Sequence, residues 1–291
     1  MANSNTFVQR LILGGELKKL RERAELTLAK VEEATEIEQS FLSRVENGGR
    51  GMRSRDVRAL LDLYGRTTPI DEVLREELLA LAKSSIGGKP DWWQRLAGQG
   101  LKPRFDLLLA AESGARTINA FYSQVVPGLL QTDAYARAVI QATDLEGVAD
   151  VDERITIRRT RQEILTRDDG PVTLQLVIDE AVLRHLVGGT DVMREQLQHL
   201  QEASKRPNIK LQVLPFTAGA HPAVEGDFVL MLFRAGDDLG MVYTETATSG
   251  LVVQSEADIR RYSRTYGVLE TKALPPARST VLIDSAIKEL G

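Results

Sequence analysis

Cysteine is absent from the 291 residues, and histidine occurs only three times. A chain without cysteine has no disulfide framework, no thiolate metal site and no cysteine nucleophile. The three histidines, His185, His199 and His221, show none of the spacings that bind zinc, such as two histidines four residues apart on one helix. We therefore predict that the protein has no metal site and no cofactor.

Long apolar runs are also missing, because no segment approaches the roughly 20 residues that cross a bilayer. The opening segment, MANSNTFVQR, lacks the apolar core of a secretory signal. A hydrophobic content of 43% with 27% charged residues is typical of a soluble globular protein. These features predict a cytoplasmic protein without a membrane partner.

Sequence motifs of catalysis are scarce as well. The segment IGGKPD lacks the upstream glycine of a phosphate-binding loop and the serine or threonine that follows its lysine. The G-x-S-x-G turn of serine hydrolases does not occur. We predict that the chain is not an enzyme. The hypothesis that it is an enzyme would require turnover of a metabolite, and the sequence indicates no substrate.

Basic residues are concentrated towards the N-terminus. The first 66 residues contain 12 Lys and Arg against 10 Asp and Glu, whereas the remainder contains 25 against 31. Local clustering of arginine, rather than total charge, is what a nucleic-acid-binding face requires. The cluster consists of Arg44, Arg50, Arg53, Arg55 and Arg58.

The hydrophobic period predicts a compact all-α domain of five helices over residues 1–83. The first helix has Leu13, Leu17, Leu20 and Ala24 on its buried face. The second, LAKVEEAT, begins after Thr27, and the third runs from Gln39 to Glu46 and ends at Asn47-Gly48. The fourth has Ser54 as its cap with Val57, Leu60, Leu61 and Tyr64 inward, and the fifth is DEVLREELLALAK with Leu74, Leu78 and Leu81 inward.

A Gly-, Ser- and Pro-rich segment, residues 84–91, indicates a linker to a second domain over residues 92–291. Predicted helices include RFDLLLAAESGA, TDAYARAVIQAT with Thr132 as its cap, and DVDERITIRRTRQEIL. The segments VTLQLVID, IKLQVLPF, DFVLMLF and GMVYTET have the composition of strands, and RAGDDLG that of a hairpin turn. Strands mixed with helices predict a mixed α+β domain.

The third helix leaves a polar face free. Gln39, Ser40 and Ser43 are small or amide side chains that can approach base edges in the major groove, where Gln pairs with adenine. Arg44 suits a phosphate or a guanine, and Arg50 in the following loop suits a phosphate. The alternative is that these residues form an ordinary solvated helix face. The order of the helices, their caps and the Asn-Gly end of the third helix favour DNA binding instead.

The segment from Leu13 to Gly65, with LSRVENG in its third helix, resembles the Xre-type, lambda-repressor-like helix-turn-helix. The chain departs from that pattern at Glu36, where glycine is common, and at Leu28, where glutamine is common. Glu32, Glu33 and Glu38 add negative charge near the expected phosphates. The residues predicted to bind DNA are Thr27, Lys30, Gln39, Ser40, Ser43, Arg44, Asn47, Arg50 and Arg53.

The rest of the chain, most specifically VVPGLLQT followed by AYARA, resembles a C-terminal domain of unknown function found in actinobacterial regulators, including WhiJ-like proteins. The resemblance implies a small protein partner and contributes no catalytic residues. Trp92, Trp93 and Tyr122 are candidates for a ligand pocket, although Trp92 and Trp93 can equally anchor the linker to the core.

These observations predict a sequence-specific transcriptional regulator that binds a double-stranded operator as a homodimer. Its C-terminal domain would mediate dimerisation and sense a small-molecule effector or a small protein partner. The alternative is an antitoxin-like interaction module whose large domain sequesters a small partner protein.

Overall fold

The computed structural model describes residues 6–86, 104–148, 150–168, 170–233 and 240–291. The chain divides into two compact units, residues 1–97 and residues 98–291. The fifth helix includes Ser84 and Ser85, the first two residues of the predicted linker. Residues 87–91 of that linker, and Trp92 and Trp93, lie outside the described residues.

The N-terminal unit consists of the five helices expected from the hydrophobic period. They are α1 (Thr6–Arg23), α2 (Leu28–Thr35), α3 (Gln39–Glu46), α4 (Ser54–Tyr64) and α5 (Glu72–Ser85). The predicted inward residues of α1 and α4 are all buried, and those of α5 are buried or pack against the same core. Tertiary burial stabilises helices as short as α2 and α3, because eight residues are too few to be helical alone in water.

Two of the predicted N-terminal caps have different outcomes. The Thr27 hydroxyl accepts a hydrogen bond from the Lys30 backbone N–H at 3.3 Å, which confirms the cap of α2. The predicted Ser54 cap is wrong, because the cap residue of α4 is Arg53 and no side chain caps this end. The Arg53 carbonyl already accepts from the Val57 N–H at 3.0 Å, so the helix begins one residue earlier than predicted.

Helices α1 and α3 approach so closely that only glycine fits between them. A Cβ atom added to Gly14 in α1 would lie 2.0 Å from the Val45 carbonyl oxygen and 2.9 Å from that of Glu46. The absence of a side chain at position 14 therefore sets the distance between α1 and the C-terminal turn of α3.

The C-terminal unit combines a mixed six-stranded sheet with helices, which confirms the predicted mixed α+β class. Its helices are α6 (Phe105–Gly114), α7 (Asp133–Thr143), α8 (Val151–Gln162), α9 (Thr190–Ser204), α10 (Glu256–Lys272) and α11 (Pro276–Glu289). Its strands are β1 (Thr117–Tyr122), β2 (Thr173–Asp179), β3 (Ile209–Leu214), β4 (Phe228–Leu232), β5 (Gly240–Glu245) and β6 (Gly250–Val253).

The strand order is β3-β2-β1-β4-β5-β6, with β1, β2 and β3 parallel and the β1–β4, β4–β5 and β5–β6 pairs antiparallel. Helices α7 and α8 lie in the connection from β1 to β2, and α9 lies in the connection from β2 to β3, as parallel pairing requires. The predicted hairpin turn between β4 and β5 falls largely on residues 234–239, which lie outside the described residues.

Two strands differ from the sequence prediction. The composition of FYSQVVPGLL, residues 121–130, predicts an extended segment, but β1 ends at Tyr122 and Gly128–Leu130 forms a short 3-10 helix. Strand β6 was not predicted, because its four residues are too few to show a period of two. The predicted Thr132 cap is confirmed, since its hydroxyl accepts from the Tyr135 N–H at 3.4 Å.

We expect Gly14→Ala to lower the free energy of unfolding by about 1–3 kcal/mol, because its Cβ overpacks the α1–α3 contact. The matched control is Gly267→Ala in α10, where an added Cβ meets no atom within 4 Å among the described residues. That variant should instead stabilise by about 0.5–1 kcal/mol through helix propensity. Chemical denaturation of the full chain measures both, and equal effects of the two variants would contradict the packing account.

Candidate nucleic-acid interface

The turn between α2 and α3 depends on a left-handed residue that is not glycine. Glu36 has φ 61° and ψ 13°, and its N–H donates to the Glu32 carbonyl at 2.8 Å. A side chain in this conformation costs roughly 1–2 kcal/mol, because its Cβ crowds the following carbonyl oxygen. The α2–α3 turn therefore has the left-handed conformation for which glycine is common in the family pattern, but with Glu36 in that position.

The outward face of α3 consists of exposed or half-buried polar side chains. Gln39, Ser40 and Arg44 are exposed and Ser43 is half-buried, whereas Leu42 and Val45 are fully buried on the opposite face. Phe41 is half-buried and packs against the core. The helix thus presents polar side chains on one face while its apolar face holds it to the domain.

Two of the predicted contact residues already bind the backbone of α3. Arg44 Nε donates to the Ser40 carbonyl at 3.2 Å, and Asn47 Nδ2 donates to the Ser43 carbonyl at 2.8 Å. The Asn47 amide therefore caps the end of α3, while the terminal nitrogens of Arg44 extend from the exposed face.

The end of α3 is a Schellman motif. The Gly48 N–H donates to the Val45 carbonyl and the Gly49 N–H to the Arg44 carbonyl, both at 2.9 Å. Gly48 has φ 70°, and a Cβ there would lie 2.4 Å from Leu11 Cδ2. This confirms the left-handed glycine cap predicted from Asn-Gly, and it also explains why α3 stops where it does.

The remaining predicted residues lie at the exposed margins of α2 and α3. The Arg50 guanidinium lies over the Phe41 ring at 5.3 Å from its centroid, a cation–π contact that holds it beside α3. Arg53 is exposed at the start of α4, and Thr27 and Lys30 are exposed in the first turn of α2. Eight of the nine predicted residues are therefore on helices α2 and α3 or directly beside them, and Arg53 lies at the start of α4.

A buried ion pair that the sequence did not indicate fixes α3 to α1. Arg21 Nε and Nη2 donate to the two carboxylate oxygens of Glu46 at 2.7 and 2.8 Å, and Nη1 donates to the Leu26 carbonyl at 2.8 Å. The hydrogen bond with Glu46 raises the pKa of Arg21 above its ordinary value. The pair joins the last turns of α1 and α3 across 25 positions of sequence, beyond the reach of any local pattern.

Acidic residues surround the same turn. Glu33, Glu36 and Glu38 are exposed and Glu32 is half-buried. The Glu38 carboxylate accepts a weak hydrogen bond from the Ser40 hydroxyl at 3.5 Å. The exposed face of α2 and α3 is therefore mixed in charge, with cations at its margins and carboxylates at the turn.

Of the three candidates for a ligand pocket, only Tyr122 lies within the described residues. Tyr122 is half-buried at the end of β1, and burial raises its pKa above the ordinary value of tyrosine. His185 Nδ1 lies 3.0 Å from the Gln124 carbonyl oxygen, and the His221 ring packs edge-on against Phe121. Within the described ranges, no three His, Asp or Glu residues form a group that could hold a metal ion.

The left-handed Glu36 offers a direct test of the turn geometry. We expect Glu36→Gly to raise the free energy of unfolding by about 1 kcal/mol, because glycine has no Cβ to crowd the backbone. Glu36→Ala removes the same carboxylate but keeps the Cβ, so it should give no such gain. Denaturant titration compares the two, and equal stabilisation by alanine would assign the effect to charge.

The buried ion pair predicts a non-additive double-mutant cycle. Glu46→Leu removes the main carboxylate partner of the partly buried Arg21 guanidinium and should cost about 1–3 kcal/mol of unfolding free energy. Combining it with Arg21→Met removes both charges and should recover a large part of that loss. If the double variant were as unstable as the sum of the single ones, the pair would not act as a coupled unit.

Comparison with known proteins assigns each unit. Residues 12–78 match the model of a Helix-turn-helix domain, and residues 105–285 match that of a Domain of unknown function (DUF5753). No curated protein and no solved structure matches the chain significantly. No helix among the described residues is long and apolar enough to cross a membrane. The helix-turn-helix match points to a DNA-binding regulator, and because the second match covers more than half of the chain, the protein belongs to the DUF5753 family.

Proposed function

We propose that the protein is a sequence-specific transcriptional regulator of the Xre type that binds its operator through α3. The observation that carries the proposal is the exposed N-terminal end of α3, with Gln39 and Ser40 outward and Leu42 and Val45 buried. A helix in the major groove reads base edges with its first residues, and those residues must be small or amide-bearing for close approach.

The flanking cations divide the contacts into two kinds. Gln39 suits bidentate pairing with adenine N6 and N7, a contact worth about 1–3 kcal/mol of discrimination. Arg50 lies beside α3 and Arg53 is exposed at the start of α4, and charge contacts of these arginines with phosphates would fix the register without reading sequence. Thr27 and Lys30 are on the first turn of α2, whose N–H groups and positive dipole end also suit a phosphate.

The acidic turn supports binding as a homodimer. Glu33, Glu36 and Glu38 are exposed close to α3, and their charge would repel phosphates and weaken a single copy. Two linked copies that engage half-sites about one helical turn apart recover affinity by effective concentration. We assign dimerisation, and the sensing of a small-molecule effector or a small protein partner, to the C-terminal unit.

Substitutions at Gln39 and Arg50 should distinguish the readout of bases from the contacts with phosphates. Gln39→Ala should cost about 1–3 kcal/mol on a selected operator and little on a scrambled duplex, because only base readout is lost. Arg50→Ala should weaken both duplexes alike and reduce the slope of affinity against salt by about one, because a phosphate contact is lost. Fluorescence anisotropy over a salt series measures both changes.

Arg50→Lys is the matched control, since it retains the charge and the phosphate contact while altering the cation–π geometry over Phe41. It should keep the salt slope of the unmodified protein. Retention of full affinity and sequence preference by both Gln39→Ala and Arg50→Ala would show that α3 does not face DNA.

A further inference from the structure

A second cluster of buried charge lies in the C-terminal unit, between α6, α8 and the sheet. Arg161 Nε and Nη2 donate to the two carboxylate oxygens of Glu112, both at 2.8 Å, and both side chains are almost fully buried. The Arg161 guanidinium also lies 5.2 Å from the centroid of the Phe105 ring. Glu112 is therefore fully used in neutralising Arg161.

Arg158 lies one helical turn before Arg161 on α8, and no carboxylate among the described residues forms a hydrogen bond with its Nε or Nη1 atom. Its Nε and Nη1 atoms are buried and have no hydrogen-bond partner among the described residues. Burial, with the like charge of Arg161, lowers the pKa of Arg158 to about 10, so it stays protonated at neutral pH. A buried cation without a hydrogen-bonded partner is costly, and such groups in folded proteins ordinarily have one.

The surroundings of Arg158 are shaped by glycine and tyrosine. A Cβ on Gly128 would lie 3.2 Å from both Arg158 Nε and Arg161 Nη1, so the backbone of the PGLL segment lies directly against both guanidinium groups. Tyr122, at the carboxyl end of β1, interacts electrostatically with Arg158 and Arg161. The cluster thus combines a free guanidinium, a phenol and a close backbone segment.

The sheet contributes one more unpaired donor. Tyr243 on β5 is 2% exposed, and its hydroxyl has no partner among the described residues. The register pairs Ala120 with Val229 and Val229 with Tyr243, so by strand alternation Tyr122 and Tyr243 lie on the same face of the sheet. A Cβ on Gly250 would lie 2.4 Å from the Tyr243 hydroxyl oxygen.

The carboxylates near Arg158 leave its buried Nε and Nη1 atoms without a hydrogen bond. Glu112 is paired with Arg161, and Asp227 accepts two hydrogen bonds from Ser123, from N–H at 2.9 Å and from Oγ at 2.6 Å. Glu245 and Arg154 act on Arg158 electrostatically with opposite signs. An additional negative group beside Arg158 would be stabilised by its charge and by its free N–H donors.

We propose that the C-terminal unit binds an anionic group, a carboxylate or a phosphate, at Arg158 with the Tyr122 hydroxyl as a second donor. The site lies at the carboxyl end of β1, where the chain order of the sheet reverses between β1 and β4. A role of this anion in controlling operator binding rests on the proposed regulator function, whereas the binding itself does not.

The test is a titration of the full chain with inorganic phosphate and, separately, with acetate, at an ionic strength held constant with sodium chloride. Thermal unfolding and calorimetry report binding without DNA. We expect a saturable rise in the unfolding temperature with at least one of the two anions, and the anion that saturates at lower concentration identifies the group.

Arg158→Met should leave the anion-free protein as stable as before or more stable, because it removes an unpaired buried charge. It should also weaken the anion response about tenfold or more. Tyr122→Phe should weaken the response to a smaller extent. The matched control is Arg159→Gln, a neighbouring exposed arginine paired with Asp133, which should respond as the unmodified chain does.

Absence of a saturable response to both anions would overturn the proposal, as would an Arg158→Met variant that responds normally. An Arg158→Met variant that is strongly destabilised would also contradict it, since that result would give Arg158 a structural partner. If the unmodified chain bound the anion but showed no sequence-specific DNA binding, that result would count against the proposed regulator function alone.

Discussion

The attachment of α3 to α1 is the constraint on which the candidate DNA surface depends. An eight-residue helix cannot maintain its conformation alone in water, and only part of its surface is buried against the domain. Three features compensate: buried Leu42 and Val45, the backbone contact at Gly14, and the Arg21–Glu46 ion pair. Together they leave one face free while fixing the position of each outward side chain, which is the rigidity that base readout requires.

The same region carries opposing electrostatic demands. Arg44, Arg50 and Arg53 favour a polyanion, whereas the glutamates at the α2–α3 turn oppose it. In the proposed DNA complex, non-specific affinity would therefore be lower than that of a uniformly basic surface, and a larger share of the binding free energy would come from specific contacts and from the proposed second copy. In the C-terminal unit the imbalance is reversed, since the buried Nε and Nη1 atoms of the Arg158 cation have no hydrogen-bond partner among the described residues. We interpret the first imbalance as serving selectivity and the second as serving ligand recognition.

Local chemistry explains which parts of this molecule could be predicted from the sequence. The bounds of α2 and α3, the Thr27 cap and the Gly48 stop follow from side chains within four residues of each other, and the structure confirms them. The Ser54 cap failed because serine marks a helix start only to within a residue, and the backbone of Arg53 already supplies the first carbonyl. The Arg21–Glu46 pair and the free Arg158 could not be predicted, because they arise from contacts between distant segments. The DNA contacts of the nine predicted residues remain a prediction.

Selection of bound duplexes from a random pool by the full-length protein tests the central claim most directly. If α3 reads DNA as one half of a symmetric dimer, the recovered sequences should converge on an inverted repeat. Its half-site centres should lie about one helical turn, or a whole number of turns, apart. A recovered pool that shows no common sequence after repeated rounds would contradict the account.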